Sequence, residues 1–334
     1  MGRTVTIGIP VYNVEKYIKD SLISALNQTY ANIDYLIVND RGQDNSMSIV
    51  RELMTKHPRG GAIRIIEHER NLGIAATRNT IIDHVLGSYL FFLDSDDVIS
   101  LDCIASHVDY LEKNQCDFTC GSSEYVFQNG NKTAYKQYDR TDIIKGGKFC
   151  VAERACSHDK VVSIPVWNRL YRTDFLVNNN IRCVPGLIHE DVWFTWQLLL
   201  SARSCVCIPK VTYWYYEHPF SICNNSTYEA TIKKYHDKGK LLEMMVSSVK
   251  TNSKIPRSIR QLLTIYAMRK ALSYSKSAIK EELLSSTEKK DLTHLYGSYG
   301  LCLSAYWTMD FTRNWEMLKH IISLILYKLS TKLA

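Results

Sequence analysis

The sequence predicts an α/β protein with a mainly parallel central sheet, and three observations carry that expectation. Strand-like and helix-like segments alternate from Val5 to Lys113. Polar residues recur where the strand-like segments end. One of those segments, Tyr89-Leu90-Phe91-Phe92-Leu93, runs straight into Asp94-Ser95-Asp96-Asp97.

Val5–Ile9 reads as an apolar strand and Glu15–Asn27 as a helix. Tyr35–Val38, Ile63–Glu67 and Tyr89–Asp94 repeat the strand pattern, and Asn45–His57, Ile74–Leu86 and Leu101–Lys113 the helix pattern. Parallel neighbours need long crossovers, and the intervening helices supply them. Open sheets of this kind bind ligands beyond the carboxyl ends of their strands, so Asn13, Asp40 and the Asp94–Asp97 cluster should gather on one edge. From Asp117 the pattern changes. Phe118–Cys120, Glu124–Phe127 and Tyr135–Tyr138 read as strands around an Asn129-Gly130 turn, an antiparallel addition. An aromatic segment, Val166–Tyr171, precedes a helix over Glu190–Ser201 and strands over Ser204–Ile208 and Tyr213–Tyr216. Beyond Ser226 the chain reads as helices. The expected division is a catalytic domain over 1–225 and a basic helical region over 226–334.

At 334 residues and 46% hydrophobic composition the chain can bury a large core. The net charge of +7 is lopsided: residues 231–334 carry 18 Lys+Arg against 8 Asp+Glu, whereas residues 1–230 carry 23 against 26. Near the end, Leu318, Ile321, Ile322, Ile325, Leu326, Leu329 and Leu333 recur at helical spacing. Such a helix suits either an anionic membrane surface or packing against the catalytic domain or a second copy in a homo-oligomer. No nucleic acid partner is expected. The ten cysteines form no CxxC pair and no signal peptide precedes Val5, which suggests reduced thiols in a cytoplasmic protein, peripheral at the inner face of the membrane if the last helix binds lipid.

If Tyr89–Asp97 is extended, Asp94 and Asp96 point the same way and can share a cation, with Mg²⁺ or Mn²⁺ suited to oxygen ligands. The same run also fits a strand end, an Asp-rich turn and a helix cap at Ser100. A dinucleotide site would need glycines at the first strand–helix turn, but that turn is Ile9-Pro10-Val11-Tyr12-Asn13-Val14-Glu15.

An ordered series then becomes informative. Thr6-Ile7-Gly8-Ile9-Pro10-Val11-Tyr12-Asn13, Ser24-Ala25-Leu26-Asn27-Gln28-Thr29-Tyr30, Val38-Asn39-Asp40, Asn71-Leu72-Gly73, Ala76-Thr77-Arg78-Asn79 and Phe92-Leu93-Asp94-Ser95-Asp96-Asp97 together resemble glycosyltransferase family 2 with the GT-A fold. Trp167-Asn168-Arg169-Leu170-Tyr171, His189-Glu190-Asp191 and Ser221-Ile222 extend the resemblance to about residue 225. It implies a three-layer sandwich and a metal-dependent, inverting transferase. The donor is a nucleotide diphosphate sugar, usually UDP-linked, and the acceptor a hydroxyl of a glycan or lipid-linked molecule in cell-surface polysaccharide synthesis.

By the same resemblance Pro10, Val11, Tyr12 and Asn13 line the nucleotide pocket and Asp40 meets the base. Arg78 reaches the base or diphosphate, and Asp94 and Ser95 belong to the DxD signature. Asp96 and Asp94 hold a Mn²⁺ or Mg²⁺ ion; His218, by its own place after an aromatic strand, is a candidate third metal ligand or diphosphate contact. Asp191 is the catalytic base, with Glu190 beside it. The chain departs from the family after its second strand, where Asn39-Asp40-Arg41-Gly42 replaces the usual paired acids and Gly-Ser. Two rival readings are a metal-dependent nucleotidyltransferase and a non-catalytic, membrane-associated nucleotide-sugar-binding protein.

Overall fold

The alternation builds one mixed sheet, described here from a computed structural model of residues 3–157, 162, 164–218 and 227–304. Strands β1 (Val5–Val11), β2 (Ile33–Asn39), β3 (Ile63–Glu67) and β4 (Tyr89–Phe92) pair in parallel in the order β3-β2-β1-β4. Helices α1 (Ile18–Leu26), α2 (Ser46–Lys56) and α3 (Ile74–Asp83) make the crossovers, and α4 (Cys103–Asn114) follows β5 (Val98–Ile99).

The period-two pattern of β1 sorts the helices into layers. Val5, Ile7, Ile9 and Val11 face a core shared with Ile18, Leu22, Ala25 and Leu26 of α1, Met47 and Val50 of α2, and Ile104 and Val108 of α4. Gly8, between them, faces α3 so closely that an added Cβ would stand 2.3 Å from Ile81. On that second face Phe92 meets Phe194 of α7 (Glu190–Ser201) edge-on, 6.3 Å between ring centres. The sheet therefore lies between two helical layers.

The second half of this unit extends the sheet as β4-β9-β6-β10-β5. Here β6 (Phe118–Val126) and β10 (Ser204–Tyr216) run parallel, β9 (Arg169–Arg172) lies antiparallel between β4 and β6, and β7 (Lys132–Lys136) and β8 (Asp142–Lys145) are antiparallel additions on β6 and β10. Two short helices, α5 (Cys150–Ser157) and α6 (Thr173–Asn178), complete it.

Two expectations need correction. Phe118–Cys120 and Glu124–Phe127 are one strand, and so are Ser204–Ile208 and Tyr213–Tyr216, the latter with register shifts around Val211. Gly121-Ser122-Ser123 looks like a break but lies at the sheet's centre. A Cβ at Gly121 would stand 2.2 Å from Thr212 Oγ1 and 2.8 Å from Asn168 Oδ1, so a residue without a side chain is what lets these polar groups approach.

Those groups form a polar knot inside the core. His107 Nδ1 lies 2.7 Å from Thr119 Oγ1, and Nε2 lies 3.3 Å from Asn168 Oδ1. Asn168 also accepts from Thr212 Oγ1 at 2.8 Å and donates to the Ser122 carbonyl at 2.9 Å. Each partner comes from a different segment, so the knot fixes the loop before β9 against β6, β10 and α4.

The described residues fall into two compact units, one comprising residues 3–155, 162 and 164–218, the other residues 156–157 and 227–304. The second consists of helices α8 (Tyr228–Thr251), α9 (Arg257–Lys280) and α10 (Ser286–Ser304) around Tyr235, Leu242, Ala271, Tyr274, Ala278, Leu284, Leu292 and Tyr296. Lys238 lies over the Tyr235 and Tyr274 rings, and burial pulls its ammonium down to about 8. The amphipathic segment Leu318–Leu333 lies outside the described residues. Among those described, no helix is long and apolar enough to cross a membrane.

Burial lowers the His107 pKa from 6.5 to about 4. The unfolded chain therefore binds a proton first as the pH falls, and stability present above about pH 6.5 is lost progressively down to about pH 4, by roughly 3 kcal/mol. Thermal unfolding followed across that window should show the loss, and His107→Gln should flatten it.

Candidate active site

The carboxyl ends of β1, β2 and β4 bring three loops together. After β1, Tyr12 is exposed and Asn13 takes a left-handed conformation (φ 52°), accepting the Gln43 N–H at 2.8 Å. Glu15 N–H donates to Asp44 at 2.8 Å and Val14 N–H to Ser46 at 2.9 Å, so the first loop is tied to the second. Pro10 and Val11 are buried within β1 itself.

Asp40, at the end of β2, is buried. Its carboxylate accepts the Leu72 and Gly73 N–H groups at 2.8 Å each and contacts His68 Nδ1 at 2.8 Å. Gly73 caps α3 at φ 85°, a conformation that favours glycine, and an acid at a helix N-terminus is electrostatically favourable. In this geometry Asp40 fixes the Asn71-Leu72-Gly73 loop and the start of α3.

The acidic segment is a turn, which corrects the extended reading. Strand β4 ends at Phe92, its last partner on β1 being Gly8, and Asp97 N–H then donates to the Asp94 carbonyl at 3.1 Å. The three acids consequently meet three environments. Asp94 Oδ1 accepts from Arg78 Nη2 at 2.8 Å. Asp97 is fully buried, accepting from Tyr213 Oη at 2.6 Å and Tyr216 N–H at 3.0 Å. Asp96, 31% exposed, has His218 Nε2 3.8 Å from its carboxylate and 3.0 Å from its carbonyl. His218 packs against Tyr17 with the rings tilted by 37°, 3.8 Å between ring centres. Ser95 is buried in the turn.

Crowding shifts these acids. Burial and then the Asp94 charge raise Asp96 to about 6, with His218 pulling the other way. Asp97 stands well above the carboxylate range, through burial first and then Asp96 and Asp94. Asp96, Asp97 and His218 each offer a ligand atom within 4.8 Å of the others. Clustered oxygens plus one imidazole fit a divalent cation, which would relieve the repulsion that raises these values. Asp97 already serves two donors and Asp94 is engaged by Arg78, whereas the Asp96 carboxylate is partly exposed beside the His218 imidazole.

Arg78, on α3, links this turn to α7. Its buried guanidinium pairs with Asp94 and, through Nη1, with Glu190. His189 turns into the helix through a left-handed conformation, placing Glu190 and Asp191 in the first turn. Burial raises Glu190 to about 7, opposed by Arg78 and reinforced by Asp191. Asp191 is half-buried, and one of its oxygens accepts the Val192 N–H at 2.9 Å. The geometry thus gathers Arg78, Asp94, Asp96, Glu190, Asp191 and His218, and adds Asp97. A cavity of about 340 Å³ lined by Asp117, Lys148, Arg172 and Arg203 contains none of these residues.

Residues 6–176 match the profile of Glycosyl transferase family 2, about half of the chain. The chain belongs to that family. An uncharacterized glycosyltransferase of Haemophilus influenzae is 31% identical over 149 residues, 43% of this chain and 58% of the relative, so the match spans little over half of that relative. The fold, GT-A, is shared with solved structures. TarS 1–349 of S. aureus, in complex with UDP-GlcNAc, superposes with a TM-score of 0.59 at 19% identity, covering 91% of each chain. The mannosyltransferase PcManGT of Pyrobaculum calidifontis, in complex with GDP-Man and Mn²⁺, gives 0.50 at 17% identity, covering 98% of this chain and 88% of that one.

Removing Arg78 would leave Asp94 and Glu190 facing each other without a cation. Arg78→Met should destabilise the protein by about 3–5 kcal/mol. The loss should grow as the pH rises above the ordinary carboxylate range, because Glu190, already raised by burial, loses the cation that opposes that rise. Urea unfolding at several pH values measures both effects, and adding Glu190→Gln should recover part of the loss.

Proposed function

We propose that the α/β unit is a metal-dependent, inverting glycosyltransferase that moves a sugar from a nucleotide diphosphate, UDP by preference, to a hydroxyl of a glycan or lipid-linked acceptor in cell-surface polysaccharide synthesis. The observation that carries this reading is the double ion pair of Arg78, which ties the DxD turn to the first turn of α7. A donor diphosphate needs a cation where its charge accumulates, and an acceptor hydroxyl needs a base. The cluster around Arg78 holds candidates for both. UDP-GlcNAc and GDP-Man with Mn²⁺ in the structural neighbours lend weight to the donor and metal.

In this reading Asp96 and His218 would hold the divalent ion, which would offset charge on the departing diphosphate. Asp94 and Ser95 lie beside the ribose and diphosphate. The loop Pro10–Asn13 borders the nucleotide, with the exposed Tyr12 ring available to the base. Arg78 neutralises Glu190 and so keeps its charge from adding to that of Asp191. One oxygen of Asp191 is fixed by the Val192 N–H, and the other takes the proton of the acceptor hydroxyl as that oxygen attacks the anomeric carbon from the side opposite the nucleotide. The helical unit, with its basic excess, serves as an accessory region. A nucleotidyltransferase or a binding module would not need a base at the start of α7.

Release of UDP from UDP-sugars, measured with Mn²⁺ and with chelator, tests the reading. Asp191→Asn should lower kcat by about 10²–10⁴-fold while leaving UDP binding intact. Asp96→Ala should remove the metal response. Turnover indifferent to chelator and to Asp96→Ala would sink the metal assignment, and pyrophosphate release from a nucleoside triphosphate would favour the nucleotidyltransferase.

A further inference from the structure

Helix α4 covers only part of its sheet face. Its residues Cys103, Ile104 and Val108 share a core with Tyr213 and Trp167. Towards the carboxyl ends of β6 and β10, the same face carries a continuous row of rings. Trp167 stacks on Tyr213 at 4.4 Å and on Tyr215 at 5.6 Å. Tyr215 meets Tyr125 at 5.3 Å and Tyr135 at 5.4 Å, and Tyr125 meets Phe127 at 4.9 Å. Register explains the row, since Tyr215 pairs with Tyr125 and Tyr125 with Thr133, all on one side of the sheet.

The row joins two different places. Its inner end is Tyr213, whose hydroxyl donates to Asp97 and accepts the Asp94 N–H at 3.3 Å, so it begins at the acidic turn. Its outer end is open to water, with Tyr135 45% and Phe127 39% exposed. On β7 the outer rings are accompanied by Thr133 rather than by aliphatic side chains, while Lys132 lies over the Trp214 ring and Lys136 over Tyr138.

We propose that this row is an acceptor subsite, on which a saccharide chain lies across Tyr125, Phe127 and Tyr135 with one end directed towards the acidic turn. The identity of the chain as acceptor rests on the glycosyltransfer reading. A pyranose has a flat C–H face and a hydroxylated rim. The flat rings match the first, and the tyrosine hydroxyls with Thr133 match the second. A lipid surface or a second copy would call for an aliphatic patch, and the lysines along β7 oppose pairing of that edge strand with another chain.

The test compares wild type with a Phe127→Ala/Tyr135→Ala variant, both positions being exposed enough for the fold to survive. Each protein is applied to an array of linear gluco-, manno-, galacto- and N-acetylglucosamino-hexasaccharides. Its mass is read by sedimentation and its unfolding midpoint by calorimetry. The expected result is saccharide binding by wild type that falls at least tenfold in the variant, with unchanged midpoint and mass. Equal binding by the two proteins, or no saccharide bound by wild type, overturns the subsite. A fall in mass in the variant also overturns it, by making the row an interface between copies. UDP binding, titrated separately, reports on the donor side: if it is absent while ring-dependent saccharide binding persists, the donor assignment fails and the subsite stands.

Discussion

A buried guanidinium held between two carboxylates is the constraint on which the rest of the site depends. Arg78 reaches Asp94 sixteen residues away along the chain and Glu190 at a separation of 112. A charge with almost no exposure is tolerable only when paired, so α3, the acidic turn and α7 must arrive together. Its Nε has no hydrogen-bond partner among the described residues, so the pairing rests on the two terminal nitrogens. This makes Arg78 a structural link before it is anything else. It also sets the electrostatics of the pocket, by compensating two of the acids that would otherwise repel one another.

Environment, more than residue type, then divides the work among the acids. Asp97 is held by Tyr213 and Tyr216 and anchors the turn to β10. Asp94 is spoken for by Arg78. Asp96 retains both exposure and a nearby imidazole, which leaves it the carboxylate most available to a cation. The same logic separates the neighbours on α7. Glu190 is buried against Arg78, and Asp191 remains half-buried with an oxygen outside the helix's own hydrogen bonding.

Much of this was legible in the sequence, for physical reasons that also explain the rest. Apolar runs ending in polar residues mark parallel strands because both faces are covered, so β1 to β4 could be read directly. The central part of β6 could not, because Gly121-Ser122-Ser123 carries turn-like composition and its need for space is set by Asn168 and Thr212, distant in the chain. Asp94, Asp96 and Asp97 stood out by composition, but their conformation did not. A strand continues only while it has a neighbour, and pairing of β4 with β1 stops at Phe92. Asp40 was expected to meet a base, and the structure shows why an acid is wanted there even without one: two N–H groups at the start of α3 need an acceptor. The link between Arg78 and Glu190 left no local signal, since neither residue's neighbours report a partner so far along the chain.

The raised pKa values make a final connection between stability and binding. Asp96 at about 6 and Glu190 at about 7 are carboxyl groups whose charged forms the fold disfavours. Each therefore lowers the stability of the protein as the pH rises from the ordinary carboxylate range through those values, since the unfolded chain gives up its protons first. A divalent cation bound at Asp96 and His218 would act in the opposite direction, favouring the carboxylate and drawing its proton off. Binding only to the folded form, it would also raise stability by an amount set by its concentration relative to its affinity. The crowding that weakens the folded protein would thus favour a cation there, and the turn that creates the crowding is fixed by residues that need not touch the ion.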